Sequence, residues 1–176
     1  MRKKAMSPEP GCRREFLDEM APADTHPTDT GSVVRWGENG PELVGMRWGW
    51  EPRPGADPVI NIRAETADLS ANRCLIPASE FFLFTGAGQP KRRWRVTLKS
   101  ERTFFFAGLW REASDHWPES YAGITIDAAR DLEPLVDRQM AVITPAGLAA
   151  WFADEAAARS LLKPLPGGSY RIEEAS

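Results

Sequence analysis

In the stretch INIRAET, Asn61, Arg63 and Glu65 stand two residues apart. On an extended backbone that spacing puts an amide, a guanidinium and a carboxylate on one face. Three such polar groups converging on one face are unusual for a core-facing strand. An exposed strand carrying an Arg–Glu ion pair has the same spacing, and the pattern alone leaves that reading and a functional one both open. In KRRWRVTLK, residues 91–99, Arg93, Arg95 and Thr97 share one face and Trp94, Val96 and Leu98 the other. This is either a solvated face over a core face or a track for phosphates.

The remaining candidates for chemistry are few. Cys74 lies in the apolar run RCLIP and reads as a buried structural thiol. Cys12 is followed by Arg13 and Arg14, cations that lower a thiol pKa, in a stretch with little apolar content. His26 and His116 sit among loop residues, with no Cys, His or carboxylate at ligand spacing, so no metal site is expected. WGENG and TGAGQP have turn chemistry and lack the pattern of a phosphate-binding loop.

The elements that position these groups follow from composition and pattern. The 176 residues are 42% hydrophobic and 27% charged, which fits one soluble domain. The 15 prolines and 14 glycines break the chain into short elements and argue against a helical bundle. A net charge of −3 argues against a dedicated duplex-DNA binder, though it permits a local basic groove. Two cysteines make no disulfide framework and point to a reducing compartment. No apolar run reaches membrane-spanning length, and MRKKAMSPEPGCRR has no apolar segment of a secretion signal. A cytoplasmic, monomeric protein without a membrane partner is expected. Seven tryptophans are unusual, and those reaching the surface are candidates for base stacking.

Residues 1–26, with Pro8, Pro10 and Pro22, read as a poorly ordered head, with one short helix conceivable at 14–20. The domain proper is expected over 27–176. Strands are predicted at 32–36, 42–50, 59–63, 73–77, 81–84, 93–98, 103–110, 121–126, 140–143 and 169–172. Asn39-Gly40 supplies a hairpin turn, and a kink is expected at Pro77. The strands at 93–98 and 103–110 are expected to pair as a hairpin. Short helices are predicted at 64–71, after Thr144-Pro145, and from Asp154 to about Lys163 before Pro164. Many strands, with helices gathered near the end, predict an α+β fold: a compact mixed domain around a barrel-like, mostly antiparallel sheet.

Taken in order, MRWGW-x-P, NIRAET, RCLIPAS-x-FF, FFFAGLWR, TIDAA, P-x-x-DRQMAVI and the later AAWF resemble the SRAP proteins, the SOS-response-associated peptidase or abasic-site-processing family. The resemblance runs from about Pro27 to the C-terminus. It implies a compact mixed domain that binds single-stranded DNA, or its junction with duplex, in a basic channel without metal or cofactor. It further implies a DNA-damage role in which a cysteine exposed after removal of the initiator Met crosslinks to an abasic site. An Asn, a Glu and a His assist, and the same thiol removes the Met as an autopeptidase.

Carried over by residue, the resemblance implies a catalytic Asn61 and DNA contacts at Trp48, Arg63, Thr125 and Arg138. The catalytic Glu position falls on Leu83 and the His position on Val136, two side chains that transfer no protons. Arg2, not cysteine, follows Met1, and Glu80 lies on the face opposite Leu83 if the strand is regular. Cys12 lies closer to Pro27 than the family's cysteine does to that point, and its α-amine is in a peptide bond, whereas thiazolidine closure needs a free amine. The expectation is a DNA-binding protein of this type with impaired crosslinking. The alternatives are an active crosslinker or autopeptidase after processing of the head, with Cys12 as nucleophile, and an interaction scaffold that does not bind DNA.

Overall fold

The structure is a computed structural model that describes residues 24–175. Cys12, Arg2 and the helix expected at 14–20 lie outside the described residues. Eleven strands are described: β1 (Thr30–Gly37), β2 (Gly40–Trp48), β3 (Asn61–Arg63), β4 (Arg73–Ala78), β5 (Phe81–Thr85), β6 (Arg92–Leu98), β7 (Phe104–Arg111), β8 (Ser120–Asp127), β9 (Arg138–Met140), β10 (Val142–Ile143) and β11 (Tyr170–Ala175). The helices are two 3-10 turns, Ala64–Thr66 and Pro145–Gly147, and two short α-helices, α1 (Leu148–Ala153) and α2 (Glu155–Ser160).

The expected sheet-dominated architecture is present, with the α-helices near the C-terminus. β7, β4, β1, β2 and β8 pair in succession, and β8 pairs back onto β7, closing a ring. Only β2–β8 and β3–β8 are parallel; the other pairings described are antiparallel. A second sheet, β11–β6–β5, flanks the ring.

Burial explains the layers. Val34, Leu75, Phe105, Ala107, Leu109 and Ile124 form one core with α1, α2 and the first 3-10 turn. Val33, Met46, Cys74 and Tyr121 form a smaller cluster from alternate positions of the same strands, as the two-residue strand period requires. Phe104, Phe106, Val96, Leu98 and Tyr170 join the ring to the second sheet.

The hairpin expected at Asn39-Gly40 forms between β1 and β2, whereas two other local expectations give way to tertiary packing. β6 and β7 are consecutive but do not pair; β6 lies between β5 and β11, and β7 between β4 and β8, with β10 also pairing its Phe105–Phe106 portion. β7 is buried from Phe104 to Leu109, so both its faces must be covered, whereas β6 exposes Arg93 and Arg95 and suits the outer sheet. The β1–β2 register, with Gly37 opposite Gly40, makes Glu38-Asn39 the loop, and the positive φ falls on Gly40 (116°) rather than on Asn39. β4 runs through Pro77, which lies opposite Phe105, and the break comes after Ala78.

The helix expected at 64–71 shortens to the 3-10 turn. Thr144 makes no side-chain cap, whereas the Asp154 carboxylate accepts from the Ala157 N–H at 2.8 Å and starts α2. The fully buried Trp151 ties α1 to the ring, its indole N–H donating to the Cys74 carbonyl at 3.0 Å.

Asp131 fastens the last strand. Its carboxylate accepts from the backbone N–H of Gly168 at 2.8 Å and of Tyr170 at 3.2 Å, and these bonds, Gly168 first, hold its pKa below the usual carboxylate value. The folded value lies below the unfolded one of about 3.9. The stabilisation is therefore present above about pH 4 and is lost as pH falls through the folded value. Urea midpoints measured at pH 5 and in steps down to about pH 2.5 should fall more for the wild type than for Asp131→Asn. Parallel declines would show that these bonds do not tether β11.

Candidate functional site

A cleft of about 650 Å³ opens between the ring and the edge of the second sheet. Its walls come from Asp24–Pro27 and Thr30–Ser32, the ends of β2 and β3, the β4–β5 corner, and β8 and β9. Strand register brings the distant segments together. Trp48 lies opposite Tyr121, Asn61 opposite Gly123, Arg63 opposite Thr125, and Arg138 opposite Asp127, all against β8.

Asn61 lines the cleft and is exposed, and its side-chain amide has no hydrogen-bond partner among the described residues. Gly123 leaves room for the Met140 side chain beside it. A Cβ at 123 would run into the Met140 methyl and stand 3.4 Å from Asn61 Oδ1. Trp48 is half-buried, stacked on Tyr121 at 6.2 Å between centroids and 10° between planes, with its indole N–H donating to the Ile60 carbonyl at 3.1 Å. Gly31 leaves room for the Tyr121 hydroxyl, which would lie 2.6 Å from a Cβ there. Burial, with the nearby Cys74 and Asp29, pushes the Tyr121 phenol well above its ordinary pKa, so it stays protonated.

Of the other expected site residues, Thr125 lines the cleft and its hydroxyl donates to the Ile62 carbonyl at 3.3 Å. Arg138 also lines the cleft, held by Glu65 and Asp127. Arg63 is exposed and makes no ion pair among the described residues; it stands beside the cleft rather than in its wall. Leu83 is in the wall and packs on the cluster beneath the second sheet. Val136 packs on the same cluster and does not reach the cleft.

The expected common face of Asn61, Arg63 and Glu65 stops at Arg63, because β3 ends there and a 3-10 turn carries Glu65 away. Glu65 pairs with Arg138, whose hydrogen bond is the main reason its carboxyl sits below the usual pKa; Arg63 contributes only a weaker charge effect. Within the basic run, Arg95 is taken up by Glu80 at 2.5 Å and Glu173 at 3.6 Å. Arg93 reaches the cleft wall, its guanidinium 3.7 Å from the Phe82 ring centroid, next to the exposed Phe84. The cleft is thus apolar and aromatic with mixed charge, not uniformly basic.

Sequence reasoning missed the rim residues Asp24–Pro27. His26 lies there with its Nδ1 3.7 Å from the Asp29 carboxylate. Nothing in its local pattern marks it, because a loop reaches a cleft only through tertiary packing. Among the described residues no group of three or more His, Cys, Asp or Glu could hold a metal, and no helix is long and apolar enough to cross a membrane.

A family model described as SOS response associated peptidase (SRAP) matches residues 13–176. The chain is 30% identical to the Bacillus subtilis abasic site processing protein YobE, over 68% of this chain and 62% of YobE. It is 29% identical to the B. subtilis abasic site processing protein YoqW, over 76% of this chain and 68% of that one. The YobE match therefore spans less than two thirds of that relative. A crystal structure of a Bordetella bronchiseptica protein shares the fold, with TM-score 0.76 and 22% identity over 93% of this chain and 95% of that one. A phage-related protein from the same organism does so with TM-score 0.71 and 18% identity, covering 93% and 90%.

Cys74 is fully buried, and burial alone raises its thiol pKa far above the ordinary value. A Cys12→Ser chain should leave a thiol-reactive dye unchanged under native conditions and react in denaturant. Native-state labelling at Cys74 would contradict this inert assignment.

Proposed function

The chain belongs to the SRAP family, and on that premise we propose that it binds single-stranded DNA, or the junction of single strand and duplex, in this cleft and accommodates abasic sites there. The observation that carries the reading is the amide of Asn61, without a hydrogen-bond partner among the described residues, beside Trp48 in an open cleft with aromatic walls. An unpaired amide in a cleft is poised to hydrogen-bond a sugar or phosphate oxygen. Trp48, Phe82 and Phe84 present rings to bases, which stack on any aromatic face irrespective of sequence. Arg63 and Arg93 make no ion pair among the described residues and so remain to meet phosphates.

The proposed protein binds without the family's covalent step. Leu83 and Val136 are bedded in an apolar cluster, and neither can give or take a proton. A second reading is the active crosslinker with Cys12 as nucleophile, a residue just outside the matched span, which begins at Arg13. A mature chain starting at Cys12 would pair a free amine with a thiol, as crosslinking requires. The B. subtilis relatives are named as abasic site processing proteins, which agrees with either reading.

Two experiments decide. Fluorescence anisotropy with single-stranded, gapped and duplex oligonucleotides should give binding that prefers the first two and weakens with salt. Arg63→Ala should weaken all sequences alike and lower the salt slope by about 0.7, one phosphate contact on a single strand. Absence of binding at low salt would leave only the interaction scaffold. In the second, the chain is incubated with an oligonucleotide carrying an abasic site and run on a denaturing gel. No shifted band is expected; a band that disappears in Cys12→Ser would establish the active crosslinker instead.

A further inference from the structure

Arg138 is surrounded by acceptors from three directions. Its Nη1 donates to Glu65 Oε1 at 3.0 Å and to Asp127 Oδ1 at 2.9 Å. Its Nη2 donates to Glu65 Oε2 at 3.0 Å and to the Thr125 carbonyl at 2.8 Å. A guanidinium has four N–H bonds on its two terminal nitrogens, and here all four are taken. The fifth, on Nε, is buried and makes no hydrogen bond among the described residues. Two carboxylates on one guanidinium give the group a net charge of −1 at the cleft wall, where a phosphate-binding arginine would present +1.

The hold is firm in geometry and open in energy. Glu65 grips both terminal nitrogens in the fork arrangement that a phosphate would also adopt. Yet the Glu65 and Asp127 side chains are 56% and 82% exposed, against 21% for Arg138. Exposed carboxylates are well hydrated when released, so they can be exchanged for another anion. The elements that carry them differ. Asp127 faces Arg138 across the β8–β9 ladder, and Glu65 arrives on the 3-10 turn that follows Asn61–Arg63.

From this arrangement we propose that Glu65 and Asp127 form an anionic latch on Arg138, withholding it from phosphate and so limiting how tightly the cleft takes an anionic strand. Binding at this point is an exchange: the strand's phosphate must displace Glu65 from the fork before Arg138 can contact it. The latch rests on the reading of the cleft as a DNA site. It makes Arg138 a held residue in the free protein rather than a standing phosphate contact.

The test uses the full chain and a fluorescein-labelled single strand of thymidines, with anisotropy titrations at several salt concentrations. The variants are Glu65→Gln alone, the double Glu65→Gln/Asp127→Asn, and that double with Arg138→Gln. Glu65→Gln replaces an exposed side chain by one of the same shape, so it serves as the variant that keeps the fold. The latch predicts several-fold tighter binding in the first two and a salt slope steeper by about 0.7, the increment for one added phosphate contact on a single strand. Arg138→Gln should abolish both gains. Unchanged or weaker binding in the first two would overturn the latch, meaning that the carboxylates orient Arg138 for phosphate. A gain that survives Arg138→Gln would overturn it too, as mere removal of negative charge. In both cases wild-type binding leaves the DNA reading standing. No binding by the wild type or by any variant would remove the DNA reading and the latch together.

Discussion

The arrangement depends on β8. Each of its edges is shared by two partners in succession: β2 and then β3 on one side, β7 and then β9 on the other. The change of partner falls around Gly123, where a Cβ would collide with the Met140 methyl. Backbone hydrogen bonds to this one strand set the positions of Trp48, Asn61, Arg63 and Arg138 at once. A one-residue slip of β8 would turn every side chain of that strand to its other face. Closure of the ring through β7–β8 and the burial of Tyr121, Ala122 and Ile124 oppose such a slip.

The cleft built on that strand differs from a basic groove. Of the two arginines in its wall, Arg138 is held by two carboxylates, whereas Arg93 leans on an aromatic face and makes no ion pair among the described residues. What remains open is an amide, several rings and little free positive charge, consistent with a chain whose net charge is −3. Recognition there would lean on stacking and hydrogen bonds more than on counterion release. The apolar residues at 83 and 136 add to the packing of the cluster beneath, so the positions where the resemblance implies proton transfer serve the core instead.

Much of this was legible from local pattern. The alternation in Arg93–Leu98 separated a core face from an exposed one, and both Val96 and Leu98 are buried. Cys74 followed from its apolar neighbours, and Asp154 from its place before a helical run. The ordered motifs from MRWGW to AAWF identified the family that the match over residues 13–176 shows. Errors arose where local signals compete with distant ones. Adjacency suggested a β6–β7 hairpin, but a strand buried on both faces takes the partners that cover it best. Spacing suggested one face for Asn61, Arg63 and Glu65, but the chain turns after Arg63 and Glu65 finds its cation on β9.

By itself the sequence determined the kind of fold and which residues carry polar chemistry, because side-chain periodicity and turn chemistry are local properties of the chain. Tertiary structure alone decided which cations are free, that Asp24–Pro27 wall the cleft, and that Arg138 is shared between Glu65 and Asp127. Those outcomes depend on contacts between residues tens of positions apart. Strand register and ring closure set such contacts, and no local window of residues encodes them.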